Sequence, residues 1–236
     1  MDLHEDVSAI ADQLASFFRL PFATESIPGG FAEALIAEHY GGEVLPTYDF
    51  VDVICKAERI GWQVKSTKAT TPVTWKRAKI EGSAALIEDS DLSGDTSVLG
   101  TKVIESCNDH AQESLDKFDL MEIRYARIIS CPGRFTYFEK VLVDSNNRTL
   151  FDPAAFRWEW SKSKRTQAKE QLRALHGFRG ENKWFAWHGR GENQLHFSGE
   201  KHWWPNCDSE IEAVTRPKHE QQRTWSELIG WLRDDV

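Results

Sequence analysis

The sequence has no long apolar run and no pair of cysteines at C-x-x-C spacing. A membrane-spanning helix needs about 20 consecutive apolar residues, so a membrane protein is not expected. The first ten residues, MDLHEDVSAI, are acidic and do not resemble a signal peptide, which predicts a cytoplasmic location. The cysteines are therefore expected to be four reduced thiols, at Cys55, Cys107, Cys131 and Cys207.

Basic residues are in the minority, and the formal net charge of the 236-residue chain is −8. Such a balance argues at first against a polyanionic partner, but the charges are segregated. Residues 1–50 contain nine acidic residues and one basic residue, whereas residues 157–190 contain nine basic residues and three acidic ones. This segregation permits a basic binding face on an acidic protein.

Two periodicities divide the chain into helices and strands. Apolar residues at helical spacing predict the helices 5–19, 31–42, 101–118 and 164–175, and a capping box at Thr224 and Glu227 predicts another. Runs of β-branched and aromatic residues predict the strands 44–54, 60–66, 120–130, 135–143 and 156–163, and a hairpin over 183–197. We interpret 71–79 as a basic turn or short helix, 84–88 as an edge strand and 88–97 as an acidic loop. No linker is evident, so a single elaborated domain over 1–236 is expected.

Candidate chemistry is concentrated in the segment GWQVKSTKA, residues 61–69. Gln63 and Lys65 are two positions apart and therefore share one face of a strand. Asp49 is predicted on the preceding strand and Glu33 on the helix before it, so both can approach the same corner. Carboxylate and amide oxygens suit Mg²⁺, which completes its shell with water and substrate phosphate. A neighbouring lysine can orient or deprotonate a water molecule, and these parts together predict phosphodiester hydrolysis.

The segment YDFVDVICKAERIGWQVKST, residues 48–67, resembles the core motif of the PD-(D/E)XK nuclease superfamily, which includes most type II restriction endonucleases. That motif has an aspartate on one strand and, after a hairpin, an acidic residue, any residue and a lysine. Asp49 and Gln63-Val64-Lys65 occupy the matching positions, with glutamine in place of the acid. The resemblance covers about residues 30–130, and it implies a restriction-endonuclease-like αβββαβ core of the α/β class with an α+β mixed sheet. C-terminal hairpin and helix elaborations would follow, with DNA-binding parts over about 150–205.

The resemblance also implies the ligands of a Mg²⁺ ion, for which Mn²⁺ can substitute. These are Asp49, Gln63, the backbone carbonyl of Val64 and Glu33, with Lys65 as the catalytic lysine. Asp52 is the alternative to Asp49, because residues three positions apart in a regular strand face opposite sides and only one of them can share the site. Asp49 fits the family pattern better.

The implied substrate is double-stranded DNA, and cutting both strands favours a homodimer that matches a palindromic site. A restriction enzyme would also have a cognate DNA methyltransferase. Basic residues contact phosphates, while Arg, Asn and Gln can contact base edges. The candidate DNA contacts are Lys68, Lys76, Arg77, Lys79, Lys162, Lys164, Arg165, Arg190, Asn193 and Gln194.

Two alternatives stay open at this point. The first is another nuclease of the same superfamily, acting in repair, on modified DNA or on a particular DNA structure. The second is a catalytically decayed DNA-binding module, since Gln63 brings no negative charge to the metal site.

Overall fold

The computed structural model describes residues 3–46, 48–68, 72–131, 134–162, 164–165, 170–202, 210–215 and 223–234. The chain is a mixed α+β protein, which confirms the coarse fold class. It divides into two compact units. Unit 1 comprises Met1–Thr71, Phe118–Leu142 and Asp208–Val236, and unit 2 comprises Pro72–Lys117 and Val143–Cys207. The predicted catalytic core, about 30–130, therefore draws on both units, whereas the predicted DNA-binding part, about 150–205, lies in unit 2.

The α-helices of the described residues are α1 (Leu3–Ser16), α2 (Gly29–Tyr40), α3 (Ser83–Ser93), α4 (Ser97–Lys117) and α5 (Trp225–Asp234). The strands are β1 (Glu43–Val44), β2 (Val53–Cys55), β3 (Ile60–Lys68), β4 (Val73–Arg77), β5 (Glu122–Cys131), β6 (Arg134–Asp144), β7 (Arg157–Trp160), β8 (Lys164–Arg165), β9 (Glu170–Gln171), β10 (Leu175–Arg179), β11 (Asn182–Trp187), β12 (Gln194–Phe197) and β13 (Glu210–Thr215). In this part of the chain, no helix combines the length and apolar content needed to cross a membrane.

Unit 1 is built on a six-stranded sheet in the order β1-β2-β3-β5-β6-β13. Strands β2 and β3 pair antiparallel, while β3 and β5 pair in parallel over nine residues. Trp62 and Val64 of β3 belong to the same buried cluster as Ile10 of α1 and Ile36 of α2. Because side chains alternate along a strand, this packing leaves Gln63 and Lys65 on the opposite face of β3.

The end of α2 is set by two glycines, as the sequence predicts. Gly41 adopts the left-handed conformation with φ of 60°, and its N–H and that of Gly42 donate to carbonyls of the last helical turn. A Cβ atom at Gly42 would lie 2.4 Å from the carbonyl oxygen of Ile54 on β2. Glycine is therefore required where the chain leaves the helix and passes this strand.

Unit 2 contains an antiparallel five-stranded sheet in the order β4-β12-β11-β10-β7. Its core is aromatic: the ring centroids of Trp75 and Phe197 are 4.7 Å apart, and those of Phe151 and Phe185 are 5.1 Å apart. Gly100 of α4 lies directly against Trp158 of β7, since a Cβ atom built there would be 2.2 Å from the indole ring. Such an approach is open only to glycine.

Several sequence predictions are confirmed by these elements. Helices α1, α2 and α4, strands β3, β5, β6 and β7 and the β11–β12 hairpin lie where periodicity placed them. Helix α5 begins with the predicted capping box: Glu227 N–H donates to Thr224 Oγ1 at 3.2 Å, and Thr224 N–H donates to Glu227 Oε2 at 2.6 Å.

Other local predictions are wrong. Residues 44–54 are not one strand, because the described residues between β1 and β2, which are 45–46 and 48–52, lie outside the sheet. Residues 73–77 form strand β4 rather than a turn or helix, since Val73 and Trp75 alternate with exposed Thr74. The supposed edge strand 84–88 and much of the supposed loop 88–97 form helix α3, which left-handed glycines flank at both ends. The helix predicted over 164–175 is wrong where the chain is described, because 164–165 form β8, 170–171 form β9 and Leu175 begins β10. Residues 166–169 lie outside the described part of the chain.

Candidate active site

The candidate active site lies in unit 1, where the bend before β2 meets β3. Asp52 stands one residue before β2, and its backbone is held on both sides. Its N–H donates to the carbonyl of Trp62 at 2.7 Å, and its carbonyl accepts from the N–H of Leu45 at 2.9 Å. These bonds fix the direction of the Asp52 side chain towards β3.

The carboxylate of Asp52 makes two contacts with β3. Its Oδ2 atom accepts a hydrogen bond from the backbone N–H of Val64 at 2.7 Å and lies 3.5 Å from Nζ of Lys65. Both side chains are partly shielded, with 21% of Lys65 and 29% of Asp52 exposed. The pair therefore lies in a less polar environment than surface ion pairs, so the two charges interact more strongly.

Glu33 of α2 shares the electrostatic environment of this pair. Burial raises the pKa of Glu33, the negative charge of Asp52 raises it further, and the positive charge of Lys65 lowers it. A partly buried acid beside a second acid is a site where a cation is favoured, because the cation offsets both the desolvation and the repulsion. We call Glu33, Asp52 and Lys65 the acid–lysine cluster.

Gln63 and Val64 contribute to the same corner in different ways. Gln63 is 2% exposed and lies on β3 in register with Tyr125 of β5. The side chain of Val64 is buried in the core of unit 1, while its N–H points to Asp52. The metal-ligand roles given to the Gln63 side chain and the Val64 carbonyl stay predictions.

Asp49 lies in the bend between β1 and β2 and is partly exposed, next to buried Phe50. The sequence argument against Asp52 assumed a regular strand with a fixed alternation of faces. Because residues 48–52 do not form a strand, that argument does not hold, and Asp52 reaches Lys65 directly. Asp49 as a metal ligand stays a prediction, with Asp52 beside it.

Arg127 of β5 is a buried residue near the site that the sequence analysis missed. It pairs in register with Lys65 and is 2% exposed. Its guanidinium donates to the carbonyl of Lys65 at 3.3 Å, to the carbonyl of Ile128 at 2.7 Å and to Oγ1 of Thr67 at 2.8 Å. Arg127 thus bonds to β3 on both sides of Ser66, to the backbone of Lys65 and to the side chain of Thr67. The available signal was a single arginine between apolar residues, since Ala126 precedes it and Ile128 and Ile129 follow it.

A second buried group connects the helix of Glu33 with the strand of Lys65. The carboxylate of Glu139 on β6 accepts hydrogen bonds from Tyr137 Oη at 2.6 Å, from Trp62 Nε1 at 3.1 Å and from Tyr40 Oη at 3.4 Å. The rings of Tyr40 and Trp62 stack with centroids 4.4 Å apart. This network fixes the end of α2 against β3, so it positions the two elements that carry the cluster.

The predicted DNA contacts have varied surroundings. Lys68 of β3 pairs with Glu25 at 3.1 Å. Lys76 of β4 donates to the carbonyl of Ser106 at 2.7 Å, and burial lowers its pKa. The ammonium of Lys76 is therefore bound to α4 in this structure. Arg77 and Lys79 are exposed and stay candidates for backbone contacts.

The remaining predicted contacts lie in the second half of unit 2. Arg190 pairs with Asp91 and lies 4.6 Å from the ring centroid of Trp160. The carbonyl of Asn193 accepts from Ala78 N–H at 2.7 Å, and Gln194 is within hydrogen-bond distance of His196. Lys162 is exposed. Lys164 and Arg165 have a described backbone in β8, but their side chains lie outside the described part of the chain.

The oxygen groups of the cluster fit a hard divalent cation. Glu33 and Asp52 supply carboxylates, and Gln63 can supply an amide oxygen, a set of the kind that Mg²⁺ prefers. Within the described ranges, no three side chains of the His, Cys, Asp and Glu types are arranged to hold a metal ion. A cation held by two carboxylates would take further ligands from water and substrate phosphate.

Comparisons with known proteins add no relative: no protein-family model, no curated protein and no solved structure matches this chain. The case for a function therefore rests on the residues of the site.

Proposed function

We propose that the protein is a Mg²⁺-dependent endonuclease that hydrolyses phosphodiester bonds of double-stranded DNA, as a type II restriction enzyme of the PD-(D/E)XK superfamily. The observation that carries the proposal is the acid–lysine cluster, in which Asp52 lies 3.5 Å from Lys65 and both charges act on Glu33. The strand pairing supports it, because β2 and β3 form the antiparallel hairpin that the motif requires and β5 then joins β3 in parallel.

Glu33, Asp52 and the side-chain oxygen of Gln63 would hold the metal ion, with Asp49 as the alternative to Asp52. A bound Mg²⁺ would neutralise negative charge on the phosphate under attack. The raised pKa of Glu33 agrees with this role, because burial and the charge of Asp52 both disfavour its negative charge and a bound cation would offset both effects.

Lys65 would act on the water and on the phosphate. Its ammonium offers three donors on a flexible stem, and Asp52 holds the ammonium from one side. One donor can orient a water molecule, and another can contact a phosphate oxygen as its charge grows. The water oxygen bonds to phosphorus and the bond to the 3′ oxygen breaks. The attacking water releases one proton to solvent and the leaving 3′ oxygen takes one up from solvent, so the products carry a 5′-phosphate and a 3′-hydroxyl.

A double-strand cut requires two such sites, so the proposed working form is a homodimer on a palindromic sequence. The exposed basic residues Arg77, Lys79 and Lys162 are available to DNA phosphates. A cognate methyltransferase would protect the host DNA.

The direct test is cleavage of plasmid and phage DNA, methylated and unmethylated, in the presence of Mg²⁺. Lys65→Ala should slow cleavage by about 10²–10³-fold, which is the typical loss for one group that stabilises transition-state charge. Lys56→Ala is the matched control, because Lys56 is an exposed lysine that pairs only with Glu43 among its described contacts.

No cleavage of any substrate by the unsubstituted protein would contradict the enzyme proposal. Equal rates for the Lys65→Ala variant would contradict the role of Lys65. Defined fragments from unmodified DNA would support restriction and argue against dependence on modified bases.

A second candidate function is a DNA-binding module that has lost catalysis. The observation that favours it is the buried, uncharged amide of Gln63 at the position of the family acid. Calorimetric titration with Ca²⁺, with and without DNA, separates the two candidates. Saturable Ca²⁺ binding that becomes tighter in the Gln63→Glu variant supports the enzyme. The absence of a heat of binding, both with and without DNA, supports the module.

A further inference from the structure

A row of imidazoles crosses the outward face of the sheet in unit 2. His176 of β10 lies opposite Ala186 of β11, and Ala186 lies opposite His196 of β12. Residues in register across antiparallel strands share a face, so all three point the same way. The small side chain of Ala186 between two larger imidazoles leaves a depression. The flanking residues Leu195 and Phe197 are buried on the core side.

This depression is a pocket of about 370 Å³. Its wall includes the three residues of the row together with His188, Lys162 and Lys183, and the ring centroids of His188 and His196 are 4.8 Å apart. Among the described residues that line the pocket there is no carboxylate, so its ligand is expected to be an anion or a hydrogen-bond acceptor.

The pocket also has an apolar side. Leu172 lines it and is 58% exposed, and Ala174 and Ala186 add further apolar surface. An exposed leucine at the mouth of a basic pocket suits a ligand with a flat apolar part next to its charge.

We propose that this pocket binds one nucleoside monophosphate unit, with the phosphate at the lysines and imidazoles and the base against Leu172. Its volume is at the lower end of the about 300–1,000 Å³ that is usual for ligand pockets. A single nucleotide fits such a space and a duplex does not, so a nucleotide from DNA would have to leave the base stack to enter.

A second pocket of about 310 Å³ shares Leu172, His188 and His196 with the first. It adds two arginines, Arg173 and Arg190, and one carboxylate, Glu192. Both arginines contact Asp91, with Arg173 3.6 Å away. Asp91 therefore partly neutralises the positive charge of the two arginines. The remaining charge lies where the phosphate of a neighbouring nucleotide would bind.

Proton uptake should accompany binding of the anion. Burial lowers the pKa of His188 and of His196, Lys183 lowers both further, and Glu192 raises both. An arriving phosphate stabilises the protonated imidazoles, so affinity should rise as the pH falls, by up to about tenfold per pH unit for each proton taken up. Among the described residues, the other charged or titratable groups at the two pockets are His176, Lys162, Arg173 and Arg190.

Identifying the nucleotide as part of DNA rests on the proposed function, but the site itself does not. All its residues belong to unit 2, so binding can be measured without catalysis. The test is calorimetric titration of the full chain and its Lys65→Ala variant, in EDTA, with dAMP, dCMP and the dinucleotide TpT. We expect saturable binding with a Kd between about 1 µM and 1 mM.

Ala186→Leu fills the pocket without changing its charge, and Lys162→Ala combined with Lys183→Ala removes the exposed cations. Each should weaken binding by about tenfold or more, while Lys56→Ala in unit 1 should leave it unchanged. TpT has a constant charge between pH 6 and 8, so its affinity should rise as the pH falls across that range. Thermal unfolding checks that every variant is folded.

Two DNA probes distinguish the sources. The first outcome is tighter binding to a duplex with a mismatch than to a fully paired duplex. If Ala186→Leu abolishes this difference, the ligand is a nucleotide taken from DNA. Binding of dAMP without binding of either DNA duplex supports a free nucleotide as the ligand. No binding of any nucleotide, binding unchanged by Ala186→Leu, or binding of Zn²⁺ alone would overturn the proposal. None of these results depends on DNA cleavage, so failure here and failure of the nuclease proposal are distinguishable.

Discussion

Oδ2 of Asp52 lies 3.5 Å from Nζ of Lys65 and accepts a hydrogen bond from the backbone N–H next to it in sequence, that of Val64. One carboxylate oxygen therefore fixes both the strand and the side chain that the strand carries. Asp52 is therefore the aspartate whose substitution should be tested first, with Asp49 as the comparison.

Asp52→Asn should slow DNA cleavage by about 10²–10³-fold and leave the protein folded. Asparagine keeps an oxygen for the N–H of Val64, but it removes the charge that holds Lys65 and the carboxylate offered to a metal ion. Cleavage rates and thermal unfolding measure the two effects. Asp49→Asn is the comparison: if that variant is inactive while Asp52→Asn cuts normally, Asp49 is the ligand and Asp52 is not.

The affinity for divalent cations should depend on the protonation of Glu33. The pKa of Glu33 is raised by burial and by Asp52, so this side chain stays protonated to a higher pH than an ordinary glutamate. A protonated carboxyl cannot hold a cation, so Ca²⁺ affinity should rise as the pH rises through that raised pKa and fall below it. Calorimetry at a series of pH values tests this.

Glu33→Gln should weaken Ca²⁺ binding and flatten its pH dependence over the same interval. A Glu33→Gln variant with the pH profile of the unsubstituted protein would exclude Glu33 as the titrating ligand. Glu38→Gln is the control, because Glu38 is an exposed glutamate on the same helix.

Arg127→Met should lower the free energy of unfolding by about 1–3 kcal/mol. The methionine occupies a similar space but leaves the carbonyl of Lys65 and the hydroxyl of Thr67 without their donor. Chemical denaturation measures the loss. Arg134→Met on β6 is the control, since Arg134 is exposed. Equal stability of the two variants would show that the bonds of Arg127 do not stabilise β3.

Gly100→Ala should destabilise the protein by about 1–3 kcal/mol, even though alanine is the better helix former. The added methyl group would overlap the indole of Trp158, which packs on Phe185 and cannot easily move. Gly230→Ala in α5 is the matched control, because nothing lies within 4 Å of its Cβ position, and it should stabilise by up to about 1 kcal/mol. Melting temperatures that shift in the same direction would contradict this packing.

The parts of the fold that the sequence predicts are those with long, regular periodicity. The predictions for α1, α4 and β5 needed only the spacing of their apolar residues. Strand β4 was missed even though Val73 and Trp75 alternate with polar residues, because Pro72 suggested the first turn of a helix. Its identity as a strand depends on pairing with β12, about 120 residues later, which local sequence does not show.

The candidate active site, like the fold, could be predicted from the sequence only in part. Glu33 and Lys65 were identified from motif spacing, and the structure brings them into one electrostatic environment. The contact of Asp52 depends on two backbone hydrogen bonds in a bend, and that of Arg127 on the register of β5 against β3. Neither the bend nor the register leaves a signal in residue spacing. The pocket of unit 2 likewise depends on which side chains face each other across three strands.

The discontinuous composition of the two units has a consequence for biosynthesis. Strand β4 leaves the ribosome soon after β3, yet its partner β12 follows more than one hundred residues later, and β13, which pairs with β6, follows later still. Neither sheet can be completed until nearly the whole chain has been translated. Contacts this distant in sequence slow folding, and strands that wait for their partners expose edges that aggregate. We expect C-terminally truncated nascent chains to depend on chaperones. We also expect any one continuous segment of either unit, expressed alone, to be insoluble.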